Sequence, residues 1–210
     1  MLEPSGLYYP YRFARFYLQG MQVVLDTEGY DAVLGLSGLT TYFTELPPPT
    51  LERKFDFAYF AALSEALEEM YGARGGRGLA LRIGRAWFEA GFENFGAFAG
   101  MLHPSFQSLA QPSRARIALE ALSAIFVQHT DQNTQLNVLE STYQLQVDVS
   151  PMAWGRQSER PVCHAFVGLM QACLRLASNG YEYHVHERAC RAAGHDECLF
   201  EVNQKPIGQL

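Results

Sequence analysis

The chain has little of several features that define whole classes of protein. Of its 210 residues, 16 are basic and 22 acidic, and only Lys54 and Lys205 are lysines. A formal charge of −6 argues against a surface that neutralises phosphate backbones, so we expect no direct nucleic-acid partner. Arginines interrupt the apolar runs well before the ~18 residues that a membrane span needs, so we expect no membrane span.

The beginning of the chain lacks the basic-then-apolar order of a signal peptide, because it carries an acid and prolines before any apolar run. We therefore expect a soluble, cytoplasmic protein. In a reducing compartment, metal binding or burial explains the four cysteines better than disulfides do. Internal repeats, low-complexity tracts and long linkers are also missing, which favours a single domain over residues 1–210.

Apolar residues at helical spacing dominate the first two-thirds of the chain, and alternating residues the last third. The helical pattern predicts helices at 11–25, after Gly29, and at 55–71, 76–102, 113–129 and 162–178. The period-2 pattern predicts strands within 134–149, 181–188 and 198–203. Helices that precede a late antiparallel sheet indicate an α+β fold.

The sharpest chemical signal lies near the C-terminal end. Glu187, Cys190 and Cys198 follow one another with two and then seven residues between them, and Cys163 precedes them. Thiolates with an oxygen or nitrogen ligand around a turn suit tetrahedral Zn²⁺, and four protein ligands would make the site structural. His164 and His195 each neighbour a candidate ligand, so either could replace one. Burial as small apolar residues is the alternative for the cysteines, and it is our prediction for Cys173.

Residues 161–206, PVCHAFVGLMQACLRLASNGYEYHVHERACRAAGHDECLFEVNQKP, resemble the C-terminal signature of the 4-vinyl reductase (hydrocarbon-binding) domain family. The family includes a bacteriochlorophyll-biosynthesis protein and the sensor domains of phenol-responsive transcription activators. The resemblance implies a structural zinc on Cys163, Glu187, Cys190 and Cys198. It also implies a fold like that of TRAPP subunits and haem-nitric-oxide-binding domains, in which helices and an antiparallel sheet enclose an apolar cavity. The phenol sensors carry a tryptophan near the position of Val138 and Leu139, which argues against phenol as the ligand.

Two further groups of residues are candidate binding sites. The chain has 14 Phe and 11 Tyr, and ligand cavities are lined mainly by such side chains. We predict that the cavity is lined by Trp87, Phe88, Phe92 and Tyr143, although an aromatic stripe on a helix is also typical of plain core. Arginines near a helix start predict an anion site, with solvated side chains as the alternative. These are Arg74, Arg77, Arg82 and Arg85.

The segment GARGGRG at 72–78 is not a nucleotide-binding loop, since it follows a helix and lacks Gly-Lys-Ser/Thr. Sequence signatures of hydrolases, zinc peptidases and nicotinamide-dependent reductases are missing, which favours a role without turnover. The predicted function is binding or sensing of a small hydrophobic or aromatic ligand in a 51–206 core. The N-terminal helices at 1–50 are expected to form a homodimer.

Two alternatives stay open at this point. The first is a tetrapyrrole-binding accessory protein of bacteriochlorophyll biosynthesis that assists 8-vinyl reduction, with the arginines pairing with propionates. The second is a non-catalytic interaction scaffold, which a well-packed interior without a cavity of ~300 Å³ would favour.

Overall fold

The computed structural model describes residues 2–209, so the first and last residues of the predicted 1–210 domain lie outside the described residues. The elements are, in order, β1 (Tyr8–Pro10), α1 (Tyr11–Val24), α2 (Thr27–Leu36), β2 (Arg53–Asp56), α3 (Phe57–Gly91), α4 (Gly96–Ala99), α5 (Pro104–Gln107), α6 (Gln111–His129), β3 (Thr134–Val138), β4 (Thr142–Val147), α7 (His164–Ala177), β5 (Tyr181–Glu182), β6 (Val185–Ala189), β7 (Cys198–Asn203) and β8 (Gly208–Gln209). Within these residues, every helix is either too short or too polar to cross a bilayer.

The predicted α+β fold is confirmed, because the long helices precede a four-stranded antiparallel sheet in the order β3-β4-β7-β6. Two small antiparallel pairs, β1-β2 and β5-β8, lie outside this sheet. In β4 the apolar Tyr143, Leu145 and Val147 are buried while the intervening glutamines are half-buried. This alternation is the period-2 pattern that predicted the strand.

Helix α3 changes direction at Gly72, whose φ of +72° lies in the region that glycine tolerates best. The prediction that a helix ends there is confirmed, although a second helical half begins at once and continues to Gly91. The predicted helix over 76–102 was too long. The backbone of Phe95 is extended, and glycines at 91, 96 and 100 favour the short turns that replace the helix between 92 and 107.

Helices α3 and α7 pack directly against each other near the centre of the core. Gly84 and Gly168 lie at the contact, where each faces backbone atoms of the opposite helix. The helices run parallel, because Arg77 and His164 share a cavity at one end, whereas Phe92 and Leu176 share a groove at the other. Their N-terminal ends therefore lie side by side.

Asp56 ties the N-terminal segment to the start of α3. Its buried carboxylate caps the helix by accepting a hydrogen bond from the Ala58 amide at 2.8 Å, and it accepts two more from the amide and hydroxyl of Ser5 at 3.0 and 2.6 Å. By contrast, the exposed Asp26 accepts a single hydrogen bond from the Gly29 amide at the start of α2.

We expect Asp56→Ala to lower the free energy of unfolding by about 3 kcal/mol, since it removes a cap and leaves buried donors unpaired. The matched change Asp26→Ala should cost about 1 kcal/mol, the usual value for an exposed cap. Urea unfolding of both variants measures the difference. Equal losses would contradict the role of Asp56 in anchoring the N-terminal segment.

Candidate metal centre and ligand cavities

The four predicted metal ligands converge from distant parts of the chain. Cys163 immediately precedes α7, Glu187 lies in β6, Cys190 follows β6, and Cys198 begins β7. One ligand atom from each side chain lies within 4.8 Å of the other three, and all four residues are buried. The structure thus joins the start of α7 to two neighbouring strands at one point.

A β-bulge at Arg188 places Glu187 and Cys190 on the same side. Glu187 pairs with Phe200 and Ala189 pairs with Leu199, so Arg188 is an extra residue in β6. In a regular strand, residues three apart point to opposite faces, but one bulged residue changes that parity. His186 is exposed on the other face, in agreement with the predicted alternation.

The three sulfur atoms form a nearly equilateral triangle. Cys163 Sγ lies 4.0 Å from Cys190 Sγ and 3.7 Å from Cys198 Sγ, and the last two are 3.9 Å apart. Glu187 Oε2 accepts a hydrogen bond from the Cys163 amide at 2.9 Å. Among the described residues no donor reaches Glu187 Oε1, so a buried carboxylate oxygen is left without a partner.

Burial controls the ionisation of this cluster. It raises the pKa of the Cys163 thiol and of the Glu187 carboxyl well above their ordinary values, because a buried charge without a counterion is costly. The pKa of Cys190 is lowered, since the thiols of Cys163 and Cys198 donate hydrogen bonds to its sulfur. The cluster is therefore poised to hold one thiolate, and a nearby cation would favour more.

Neither neighbouring histidine belongs to the cluster. His195 is exposed, and the His164 side chain lines a separate cleft. Burial, with a smaller contribution from Arg77, lowers the pKa of His164 to about 4. At neutral pH its imidazole is therefore uncharged.

The arginines that flank Cys190 do not face the sulfur atoms. Arg188 forms an ion pair with Glu201 at 2.6 Å. The Arg191 guanidinium donates to main-chain carbonyls, and only the Arg191 backbone amide meets the cluster, at 3.4 Å from Cys198 Sγ.

An apolar cavity of about 40 Å³ lies between α1, α3, α6 and the short turns after α3. Its lining is almost entirely aromatic or aliphatic: Phe13, Phe16, Trp87, Phe88, Gly91, Phe95, Phe98, Leu122, Ile125, Phe126 and Leu169. Trp87 and Phe88 were predicted to line a cavity. Phe13 and Phe126 were missed as lining residues, because their helical spacing indicates only that they face the core.

The other two predicted lining residues lie elsewhere. Phe92 lines a more open groove of about 280 Å³ between the C-terminal ends of α3 and α7, and Phe88 separates this groove from the apolar cavity. Tyr143 lies on β4 and lines neither space. Its hydroxyl donates to the carbonyl oxygen of Pro112 at 2.7 Å.

The four arginines predicted to bind an anion do not act as one group. Arg74 and Arg77 line a cleft of about 350 Å³, to which the loop before α7 adds Arg160. Arg82 is exposed, and Arg85 donates to Gln171 Oε1 at 2.8 Å. The sequence pattern did not indicate Arg160, because it is far from the others along the chain.

Comparison with known proteins adds a family and a fold. Residues 144–204 match the family model of the 4-vinyl reductase domain. No curated protein matches the chain. A Tt H-NOX variant is 14% identical, with a TM-score of 0.56 over 96% of this chain and 98% of that one.

Two further solved structures are similar to the chain. The phenol-responsive sensory domain of the transcription activator PoxR, determined with phenol, is 17% identical, with a TM-score of 0.50 over 72% of this chain and 77% of that one. A vinyl-4-reductase family protein from Methanocaldococcus jannaschii is 20% identical over 61% of this chain and 90% of that one. Its TM-score of 0.36 is too low to bear on the fold.

At these identities the similarity of structure shows a shared fold and no more. The predicted likeness to haem-nitric-oxide-binding domains is confirmed at that level. The match to the family model includes Cys163, Glu187, Cys190 and Cys198. The predicted resemblance to the 4-vinyl reductase family is therefore confirmed, and residues 144–204 are the segment of this chain that carries it.

Proposed function

We propose that this chain is a small-molecule-binding sensor domain whose sheet is held to α7 by a structural zinc ion. The observation that carries the zinc is the triangle of buried sulfur atoms. Thiolates at ~2.3 Å from a tetrahedral Zn²⁺ lie about 3.8 Å apart, and the three observed separations are 3.7, 3.9 and 4.0 Å. The unpartnered Glu187 Oε1 offers the fourth ligand.

Four protein ligands leave no open coordination position, so the ion would stabilise the fold and take no part in a reaction. A divalent cation would offset the cost of ionising Cys163 and Glu187, which burial otherwise keeps protonated. It would also connect α7 with β6 and β7, whose contact here depends on side chains far apart in sequence.

The apolar cavity is the proposed ligand site. Its lining has the composition of a ligand pocket, but its volume of about 40 Å³ is far below the ~300 Å³ at which such pockets begin. An aromatic ligand would therefore have to enlarge it. Phe95 and Phe98 line the cavity from the short turns between α3 and α6, where there is no long helix to hold them, so this segment is expected to move.

Helix α7 connects the two proposed sites. Leu169 lines the cavity on one face of the helix, while Cys163 precedes its first residue in the metal cluster. A ligand that displaces Leu169 would shift a helix whose start is held in place, so the movement would reach other surfaces of the domain. A sensing role also suits the PoxR domain of similar fold, which responds to phenol.

Trp87 provides a direct readout of ligand binding, because it lines the cavity and the chain has only one other tryptophan, Trp154. In the Trp154→Phe variant we expect indole-free aromatic probes such as benzene to change Trp87 emission saturably. Phe98→Ala should strengthen binding about tenfold or more by removing the ring that fills the site. Quenching that rises linearly with benzene, as for free tryptophan, would contradict the ligand site.

Native mass spectrometry of gently purified protein tests the remaining parts of the proposal together. We expect one zinc ion per chain, a homodimer through the N-terminal helices, and retained small molecule in part of the population. Chains that carry no zinc while giving a folded spectrum would contradict the metal site but leave the ligand site open.

An interaction scaffold is the second candidate, and the small volume of the apolar cavity favours it. Benzene binding separates the two, since a scaffold would show no saturable change. The tetrapyrrole alternative relied on four arginines acting together, whereas only Arg74 and Arg77 share a cleft.

A further inference from the structure

We propose that the cleft beside the start of α7 binds a small organic anion that carries an apolar body. This cleft of about 350 Å³ is distinct from the aromatic cavity, and its volume lies in the range of small-molecule sites. It is bounded by the first turns of α7 and of the second half of α3, by the loop before α7, and by β6. The proposal does not depend on the ligand proposed for the aromatic cavity.

The cleft has an excess of positive charge. Three guanidinium groups, those of Arg74, Arg77 and Arg160, line it, and no carboxylate within residues 2–209 forms an ion pair with any of them. Two acidic side chains also line the cleft. Glu68 is paired with Arg156 at 2.7 Å, and Glu187 belongs to the metal cluster. In a chain of net charge −6, such an excess is a local feature and not a result of composition.

Two helix N-termini add to this positive potential. The parallel arrangement of α3 and α7 brings the first turn after Gly72 and the first turn of α7 to the same cleft, through Arg74, Arg77 and His164. Helix α7 has no side-chain cap and no acidic residue in its first turn. Uncapped N-terminal amides and the helix dipole both favour an anion there.

The walls of the cleft are apolar where the guanidinium groups are not. Leu81 and Val167 come from the two helices, Val162 from the loop, and Val185 from β6. An inorganic ion would leave this surface in water, whereas an aromatic or aliphatic acid would cover it. A guanidinium fork accepts either a carboxylate or a phosphate, so both groups fit.

A competing explanation is that the arginines balance the charge of the metal centre. Three thiolates and one carboxylate around a divalent cation sum to a formal −2, and Glu187 is shared by the cluster and the cleft wall. Under this explanation, loss of a cleft arginine would weaken metal retention and would leave anion binding without a specific site.

The experiment is calorimetric titration of the full-length, metal-loaded chain with benzoate, phenyl phosphate, inorganic phosphate and, as the neutral control, benzyl alcohol. We expect saturable binding of benzoate or phenyl phosphate, at least about tenfold tighter than that of inorganic phosphate or benzyl alcohol. Which of the two aromatic anions binds better distinguishes a carboxylate ligand from a phosphate ester. Arg77→Gln and Arg160→Gln should each weaken binding about tenfold.

The matched control is Arg82→Gln, which removes an exposed arginine from the same helix outside the cleft. It should leave the affinity unchanged. Equal weakening by Arg82→Gln would show nonspecific attraction, and inorganic phosphate that binds as tightly as benzoate would exclude an apolar body. Either result overturns the proposal, as does loss of metal from Arg77→Gln with unchanged affinity for the anions, or no saturable binding of any anion.

Discussion

Replacing Cys190 or Cys198 by serine is expected to remove zinc from the purified chain and to lower its melting temperature by about 10–20 °C. Each substitution takes one corner from the sulfur triangle and leaves a buried carboxylate and two thiols without their cation. A loss of about 5 kcal/mol is modest for a structural zinc site, and 1 kcal/mol corresponds to roughly 2–4 °C in a chain of this size. Metal analysis and thermal unfolding measure both effects.

Cys173 provides the matched control, because it is buried but lies outside the cluster. Its thiol donates to the Ala118 carbonyl oxygen at 3.7 Å, farther along α7 from Cys163. Cys173→Ala should keep its zinc and lose about 1 kcal/mol through a small cavity. The metal site would be contradicted if the cluster variants retained a full equivalent of zinc, or if Cys173→Ala lost as much metal as they do.

Gly84→Ala and Gly168→Ala are expected to destabilise the chain by about 3 kcal/mol or more. A Cβ at position 84 would lie 1.8 Å from the Ala165 carbonyl oxygen, and one at position 168 would lie 2.1 Å from the Leu81 carbonyl oxygen. Both obstacles are backbone atoms of the opposite helix, so they cannot turn aside as a side chain would. Relief requires α3 and α7 to separate, which places the cost at the upper end of that for overpacked cores.

Gly78→Ala is the control on the same helix. No atom outside the local helix lies within 4 Å of the added Cβ, so the only expected effect is the higher helix propensity of alanine. We expect stabilisation of up to about 1 kcal/mol in urea unfolding. Similar losses at positions 78 and 84 would show that helix propensity, and not close contact between the helices, controls stability here.

Much of the candidate metal site could be predicted from the sequence because its parts are local. Glu187, Cys190 and Cys198 lie within one strand-turn-strand segment, where spacing limits how far apart they can be. Cys163 was included only through the family resemblance, since no local rule relates it to that segment. The bulge at Arg188 that aligns Glu187 with Cys190 has no signal in the residue types around it.

The ligand cavity was harder to predict, because hydrophobic period shows which side chains share a helix face but not what that face meets. Phe88 and Phe92 are about one turn apart on the same side, yet only Phe88 reaches the apolar cavity. Tyr143 was expected in the cavity and instead lies on β4 with its hydroxyl bonded to the chain before α6.

The order of helices and strands, the α+β class and the local part of the metal cluster were determined by the sequence alone, since each depends on residues close together along the chain. The packing of α3 on α7 was decided only by the tertiary structure. That packing gives Gly84 and Gly168 their role, divides the arginines, and brings Arg160 to Arg74 and Arg77. Such contacts depend on how separate elements fill a shared volume, and no periodicity within one element contains that information.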